Sequence, residues 1–291
     1  MNITPFVDAI NRLSLKVEGI LALQHGEEIA RYCWIPEAPR PVYSVSKSFT
    51  SLAVGMAIDE GKLSLKDRVL DAFPGRVKNP PPRLAGLTLE HLLTMSRGHP
   101  EFSRPATVDE ALSQPLTTDP GIAFVYDNGS TFLASAMVSA ATGQRVRDFL
   151  ARRLFTPLDI PEPVWEESAD GYSLGATGLE LSTGSLARFG QLLLRRGNWQ
   201  GRQLLSASWI DTATRAHITT KTQKTADYDL GYGYGFWNCR HGGYRADGKN
   251  GQYVVVLPGE DAVIAITSDE ENMAPILYAV WDHILPALSA N

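Results

Sequence analysis

The stretch Tyr43-Ser44-Val45-Ser46-Lys47-Ser48-Phe49-Thr50 follows a breaker made by Pro36, Pro39 and Pro41 and reads as the opening of a helix. Val45, Phe49, Leu52, Ala53 and Met56 recur at helical spacing, and Gly61 supplies a left-handed stop. Ala, Val and Ile fill the other face, so the helix is expected to be buried on most sides. Ser44 and Lys47 stand at i and i+3, share a face, and bring a hydroxyl and an amine within hydrogen-bonding reach. A hydroxyl alone is a weak nucleophile. A lysine buried near other cations loses affinity for its proton, and its neutral amine takes the serine proton at neutral pH. The same residues also fit a helix cap beside a solvated lysine, so the motif alone decides little.

Outward from this helix, residues 17–24 and 29–34 flank His25-Gly26-Glu27-Glu28 as a β-hairpin whose Gly relaxes the turn. Near the other end, residues 253–257 and 262–267 read as strands joined by a Pro258-Gly259 turn, and residues 273–285 as a closing helix. The middle third, about 65–175, is helical and loop-rich: Pro80-Pro81-Pro82, an amphipathic segment at 89–95, and helical stretches at 130–142 and 146–154. Further helices are expected at 186–196 and 206–214. Strands at both ends with helices between predict an α/β (α+β) protein. Its antiparallel sheet is built from residues 1–66 and 177–291 and flanked by helices, a mainly helical lobe at 67–176 is inserted, and the active site lies at their junction.

Bulk properties narrow the function. The 27 Lys+Arg and 32 Asp+Glu give a net charge of −5 with no long basic run, which argues against a nucleic-acid partner. The only cysteines, Cys33 and Cys239, are too few for a disulfide framework and lie outside metal-ligand spacing with His. Residues 1–13 carry charge where a signal peptide would be apolar, and no segment approaches the roughly 20 apolar residues of a membrane span. The expectation is a cytoplasmic protein without a membrane partner; oligomeric state is not legible.

Two more motifs carry chemistry. Tyr126-Asp127-Asn128 lies in an extended segment before a helix, so Tyr126 and Asn128 point one way and Asp127 the other. Tyr126 is then placed to relay a proton, and Asn128 to orient Lys47 or hold a substrate carbonyl. A loop tyrosine on the core and an asparagine cap fit the tripeptide too. Lys249-Asn250-Gly251-Gln252 leads into the strand at 253–257, and by alternation the Lys249 side chain and the bare Gly251 backbone face one side. The N–H groups of Ser44 and Gln252 are then positioned as a pair of oxyanion donors, although a plain β-turn lysine fits this stretch as well. Tyr228, Tyr232, Tyr234 and Trp237 read equally as an aromatic cleft wall and as core. Gly243 to Lys249 almost spells a phosphate loop, but Asn250 replaces the Ser or Thr and a strand follows. His241-Gly242-Gly243 reads as a turn.

In this order the three motifs resemble the serine β-lactamase and penicillin-binding-protein superfamily, most closely its class C β-lactamase-like branch of esterases and small-amide hydrolases. Asp59-Glu60-Gly61-Lys62-Leu63-Ser64-Leu65-Lys66-Asp67, Leu87-Thr88-Leu89-Glu90-His91-Leu92-Leu93-Thr94-Met95-Ser96-Arg97-Gly98, Gly175-Ala176-Thr177-Gly178-Leu179 and Gly251-Gln252-Tyr253 extend the likeness. By position it implies Ser44 as nucleophile, Lys47 as its base partner, Tyr126 and Asn128 as the second motif, and Lys249 to Gly251 as the third. The third motif reads Lys-Asn-Gly where β-lactam-active relatives usually have Lys-Thr-Gly. The resemblance therefore implies a serine hydrolase acting on an ester or small amide through an acyl-enzyme, with no metal or organic cofactor. A true β-lactamase or D-Ala-D-Ala peptidase is the enzymatic alternative, and a binding or sensor protein with a retained pocket the non-enzymatic one.

Overall fold

A computed structural model describes residues 1–222 and 225–288. Segments from the two ends of the chain build a six-stranded sheet whose central strands are apolar runs buried on both faces: β1 (Val17–Gln24), β2 (Glu27–Cys33), β3 (Trp237–Asn238), β4 (Tyr244–Gly248), β5 (Gln252–Leu257) and β6 (Ala262–Ser268). The order is β2-β1-β6-β5-β4-β3, and every neighbouring pair is antiparallel. Registers such as Ile20↔Ile266, Ile264↔Val255 and Asp247↔Tyr253 fix which side chains share a face.

Each face has its own core. Ile20, Ile264, Ile266, Tyr253 and Val255 pack with Phe6 and Ile10 of helix α1 (Thr4–Arg12) and with Ile276, Val280 and Ile284 near the C-terminus. There the closing helix begins as Ala274–Ala279 and passes through a π-helical turn at Val280–Ile284. On the opposite face Leu21, Val254, Val256, Val263 and Ala265 pack against helix α2 (Ser46–Asp59), the short α3 (Leu89–Leu93), α4 (Asn128–Thr142) and α5 (Thr183–Leu194). As expected, α2 is buried on nearly every side, from Ser46 to Ala57. Phe49 at its centre stacks on Phe189 of α5 with ring centroids 4.0 Å apart.

The β1–β2 turn forms as anticipated, with His25 and Gly26 both left-handed (φ 53° and 86°), the twist two-residue hairpins prefer. Two local readings need correction. Ser44 does not open the α-helix: it sits in a 3₁₀ turn, Tyr43–Val45, and α2 begins at Ser46. Nor do residues 249–251 run extended into a strand. They form the turn of a β4–β5 hairpin in which Gly248 pairs with Gln252 and both Asn250 (φ 62°) and Gly251 (φ 84°) are left-handed. The strand before that turn, β4, fell within the stretch weighed as a phosphate loop and was not anticipated.

Helix α5 lies close on the sheet because position 190 lacks a side chain. A Cβ there would stand 2.4 Å from Val263 Cγ1 and 2.7 Å from Val254 Cγ1. Gly190→Val is therefore expected to cost about 1–3 kcal/mol by overpacking, read as a lower urea midpoint. An unchanged midpoint would contradict this packing.

Candidate active site

The polar cluster at the start of α2 gathers residues from distant segments. Lys47 is 1% exposed, and its Nζ donates to Ser44 Oγ at 3.0 Å, to Asn128 Oδ1 at 2.7 Å and to the Ala176 carbonyl at 2.9 Å. The Ser44 turn is held in an uncommon backbone state, since Tyr43 before it has φ 47°, a left-handed value costly for a bulky residue. Burial lowers the Lys47 ammonium from its usual 10.5 to about 7; the Asp127 carboxylate opposes that shift and the Arg104 cation adds to it. Ala176 belongs to a segment tied down from two sides. Thr50 Oγ1 of α2 donates to Gly175 O at 2.9 Å, and a Cβ on Gly175 would meet the Ser135 Cβ of α4 at 2.5 Å.

Tyr126 approaches from the other side. Its ring lies 4.9 Å from Lys47 Nζ, stacks on Trp237 with centroids 5.5 Å apart, and meets Tyr232 edge-on. Burial raises its phenol above the usual range, and interaction with the Ser44 side chain pulls the other way. The aromatic run divides: Tyr228 and Trp237 border the cavity, whereas Tyr234 is buried elsewhere, donating to Glu90 Oε1 at 2.8 Å and stacked on His217.

Asn128 faces Lys47 because Asp127 is anchored behind it. Asp127 has extended geometry (φ −148°, ψ 131°) and caps α4, accepting the N–H groups of Gly129 at 3.1 Å and Ser130 at 2.9 Å. The same carboxylate pairs with Arg97 Nε at 2.6 Å and accepts Ser103 Oγ at 2.6 Å; Arg97 and Asp127 are 2% and 1% exposed. Burial raises the Asp127 carboxyl, but Arg97, Ser103 and the two N–H groups outweigh it and hold the group below the usual carboxylate range. The sequence motif placed Asp127 opposite Tyr126 and Asn128 but assigned it no partner; Arg97 was quoted only as part of the family likeness.

A cavity of about 790 Å³ opens over the cluster. Ser44, Tyr126, Asn128 and Lys249 border it, together with Tyr43, Arg104, Tyr228, Trp237 and Asp247. Gly251 and Gln252 are not among its lining residues. A Cβ on Gly251 would meet Ile276 Cδ1 at 2.8 Å, and the Gln252 side chain bonds the Ser268 carbonyl. The part of the hairpin that meets the Ser44 turn is the end of β4, where a Cβ on Gly248 would stand 2.3 Å from the Val42 carbonyl. A period-two reading of residues 244–248 points to this strand and to Asp247.

One competing serine motif is present. Gly171-Tyr172-Ser173-Leu174-Gly175 spells the G-x-S-x-G pattern of α/β-hydrolases, but Ser173 is 1% exposed, its Oγ accepts Arg147 N–H at 3.3 Å, and no strand–turn–helix elbow surrounds it. Among the described residues no group of His, Cys, Asp and Glu could hold a metal ion, and no helix is long and apolar enough to cross a membrane.

A sheet with a helical layer on each face and a Ser-x-x-Lys pair at the start of the buried helix define a serine β-lactamase-type fold. Residues 20–288 match the model of the family described as Beta-lactamase, and the chain belongs to that family of hydrolases. It is 24% identical over 279 residues to the 6-aminohexanoate-dimer hydrolase of Paenarthrobacter ureafaciens, covering 85% of this chain and 71% of that protein. The lovastatin esterase of Penicillium rubens is 26% identical over 152 residues, 41% of this chain and 37% of the esterase. Among solved structures, the octameric penicillin-binding protein homologue from Pyrococcus abyssi superposes with a TM-score of 0.78 at 18% identity, covering 99% of this chain and 78% of that one, and shares the fold.

Removing the cation behind Asn128 tests the anchor. Arg97→Met leaves the Asp127 carboxylate buried without its partner and should cost about 3–5 kcal/mol in denaturant unfolding. A loss below about 1 kcal/mol would show that the pair does not hold the start of α4.

Proposed function

We propose that the chain is a serine hydrolase that cleaves an ester or small amide bond through an acyl-enzyme on Ser44, with Lys47 as base and Tyr126 as proton relay. The observation that carries this reading is the set of partners around Lys47. Asn128 Oδ1 and the Ala176 carbonyl only accept hydrogen bonds, so each takes an N–H. Once the amine is neutral, its lone pair is left for the remaining neighbour, Ser44 Oγ at 3.0 Å, which has a proton to give. The freed oxygen attacks the substrate carbonyl; as the tetrahedral intermediate collapses, the Tyr126 phenol gives its proton to the leaving group and the Lys47 ammonium passes the serine proton on to the phenol oxygen, so that both groups end neutral. Water then releases the acyl group.

The oxyanion needs two N–H donors, and Ser44 at the positive end of α2 supplies one. The reading of Gln252 as the second is replaced by the edge of β4. That strand pairs with β5 along residues 244–248 but with β3 only at Tyr244 and Arg245, so its outer edge next to the Ser44 turn is free to donate. The site sits between the sheet lobe (1–66 and 177–291) and the helical lobe (67–176). The names of the two curated relatives, an amide hydrolase and an esterase, support the substrate class.

Ser44→Ala should lower turnover of a short-chain p-nitrophenyl ester by at least about a thousandfold with the fold intact; retained turnover dismisses the nucleophile. The pH profile follows from Lys47. Its acid form cannot accept a proton, so kcat/KM should fall about tenfold per unit below pH ~7 and level off above it. A profile flat from about pH 6 to 8 contradicts Lys47 as the base.

A further inference from the structure

Strand β4 presents alternate residues to its two faces. Tyr244 and Ala246 join the core beside α2, while Arg245 and Asp247 point to the other side. Asp247 borders the cavity and is 8% exposed. Its Oδ2 is fixed by two donors, Arg245 Nε at 2.9 Å and the Tyr228 hydroxyl at 2.8 Å. Its Oδ1 has no protein donor among the described residues and is not sealed from solvent.

Arg245 cancels the charge of Asp247 without offering a ligand anything. The guanidinium is fully buried, Nη1 is taken by the Asp227 carbonyl and Cys239 Sγ, and Nη2 is enclosed. What faces the cavity here is a carboxylate oxygen held in one orientation and able only to accept. Among the described residues the other charges on the cavity wall, Arg104, Glu166, Lys221 and Lys249, are exposed, where water and salt weaken their hold on a ligand.

We propose that Asp247 is a specificity-determining residue: its free oxygen accepts a hydrogen bond from a substrate N–H, ammonium or amide, lying along the edge of β4, and disfavours a carboxylate there. This rests on the reading of Ser44 as nucleophile. Asp247→Asn inverts the preference without changing the shape. The amide oxygen stays with Arg245 and Tyr228, and the NH₂ turns an acceptor into a donor at the cavity wall.

The test compares p-nitrophenyl hexanoate with its ω-amino, ω-acetamido and ω-carboxy analogues. In the unmodified protein kcat/KM should be highest for the two N–H-bearing esters and at least about tenfold lower for the carboxylate. D247N should move the amino-to-carboxy ratio at least about tenfold toward the carboxylate, the ratio being read whatever the change on the plain hexanoate. A carboxylate preference in the unmodified protein, or a ratio unmoved in a folded D247N, overturns the proposal. The unmodified series decides by itself should D247N not fold. Failure on the plain hexanoate, with no fluorophosphonate labelling of Ser44, falls instead on the nucleophile reading and takes this proposal with it.

Discussion

The site depends on keeping one amine out of water. Lys47 lies at the start of a helix buried on nearly all sides, and its nitrogen meets three oxygens from three parts of the chain. A solvated lysine would hold its proton well above neutral pH and leave Ser44 inert. The enclosure lowers the proton affinity, and in the proposed mechanism the two carbonyl-type partners decide where the lone pair points. Burial and chemistry are here the same structural fact.

Much of the surrounding fold can be understood as holding that enclosure. The helix α4 delivers Asn128, and its first turn is fixed by the Asp127 carboxylate, itself fixed by Arg97. Two charges at 1–2% exposure would burden the fold if either stood alone, but together, with five further hydrogen bonds on the carboxylate, they make a rigid cap. Asp127 also acts on Lys47 directly, since its charge raises the lysine's proton affinity against the effect of burial. The balance between them brings the amine near neutrality. On the far side of the cavity, β4 meets the Ser44 turn edge-on.

The parts legible in the sequence are those with short-range pattern. Helical recurrence of Val45, Phe49, Leu52 and Met56 placed α2, short continuous apolar runs bounded by turn residues placed β1, β5 and β6, and alternation in an extended segment put Tyr126 and Asn128 on one side. What escaped was long-range or disguised. The pairing of Arg97 with Asp127, thirty positions apart, leaves no local trace. Strand β4 carries Ala246, Asp247 and Gly248, residues that weaken a strand signal, so its identity depends on pairing with β5. Asn250-Gly251 is a strong hairpin signal, and reading it as the approach to a strand moved the expected oxyanion donor onto Gln252, away from the cavity.

The central claim concerns the protonation of one nitrogen, and it is measured most directly by ¹⁵N NMR titration of the lysine side chains, with Lys47 assigned by its loss in Lys47→Met. The account predicts that Lys47 Nζ titrates with a midpoint near 7, far below the other lysines. A midpoint near the usual 10.5 would show an ordinary ammonium at this site and contradict the account.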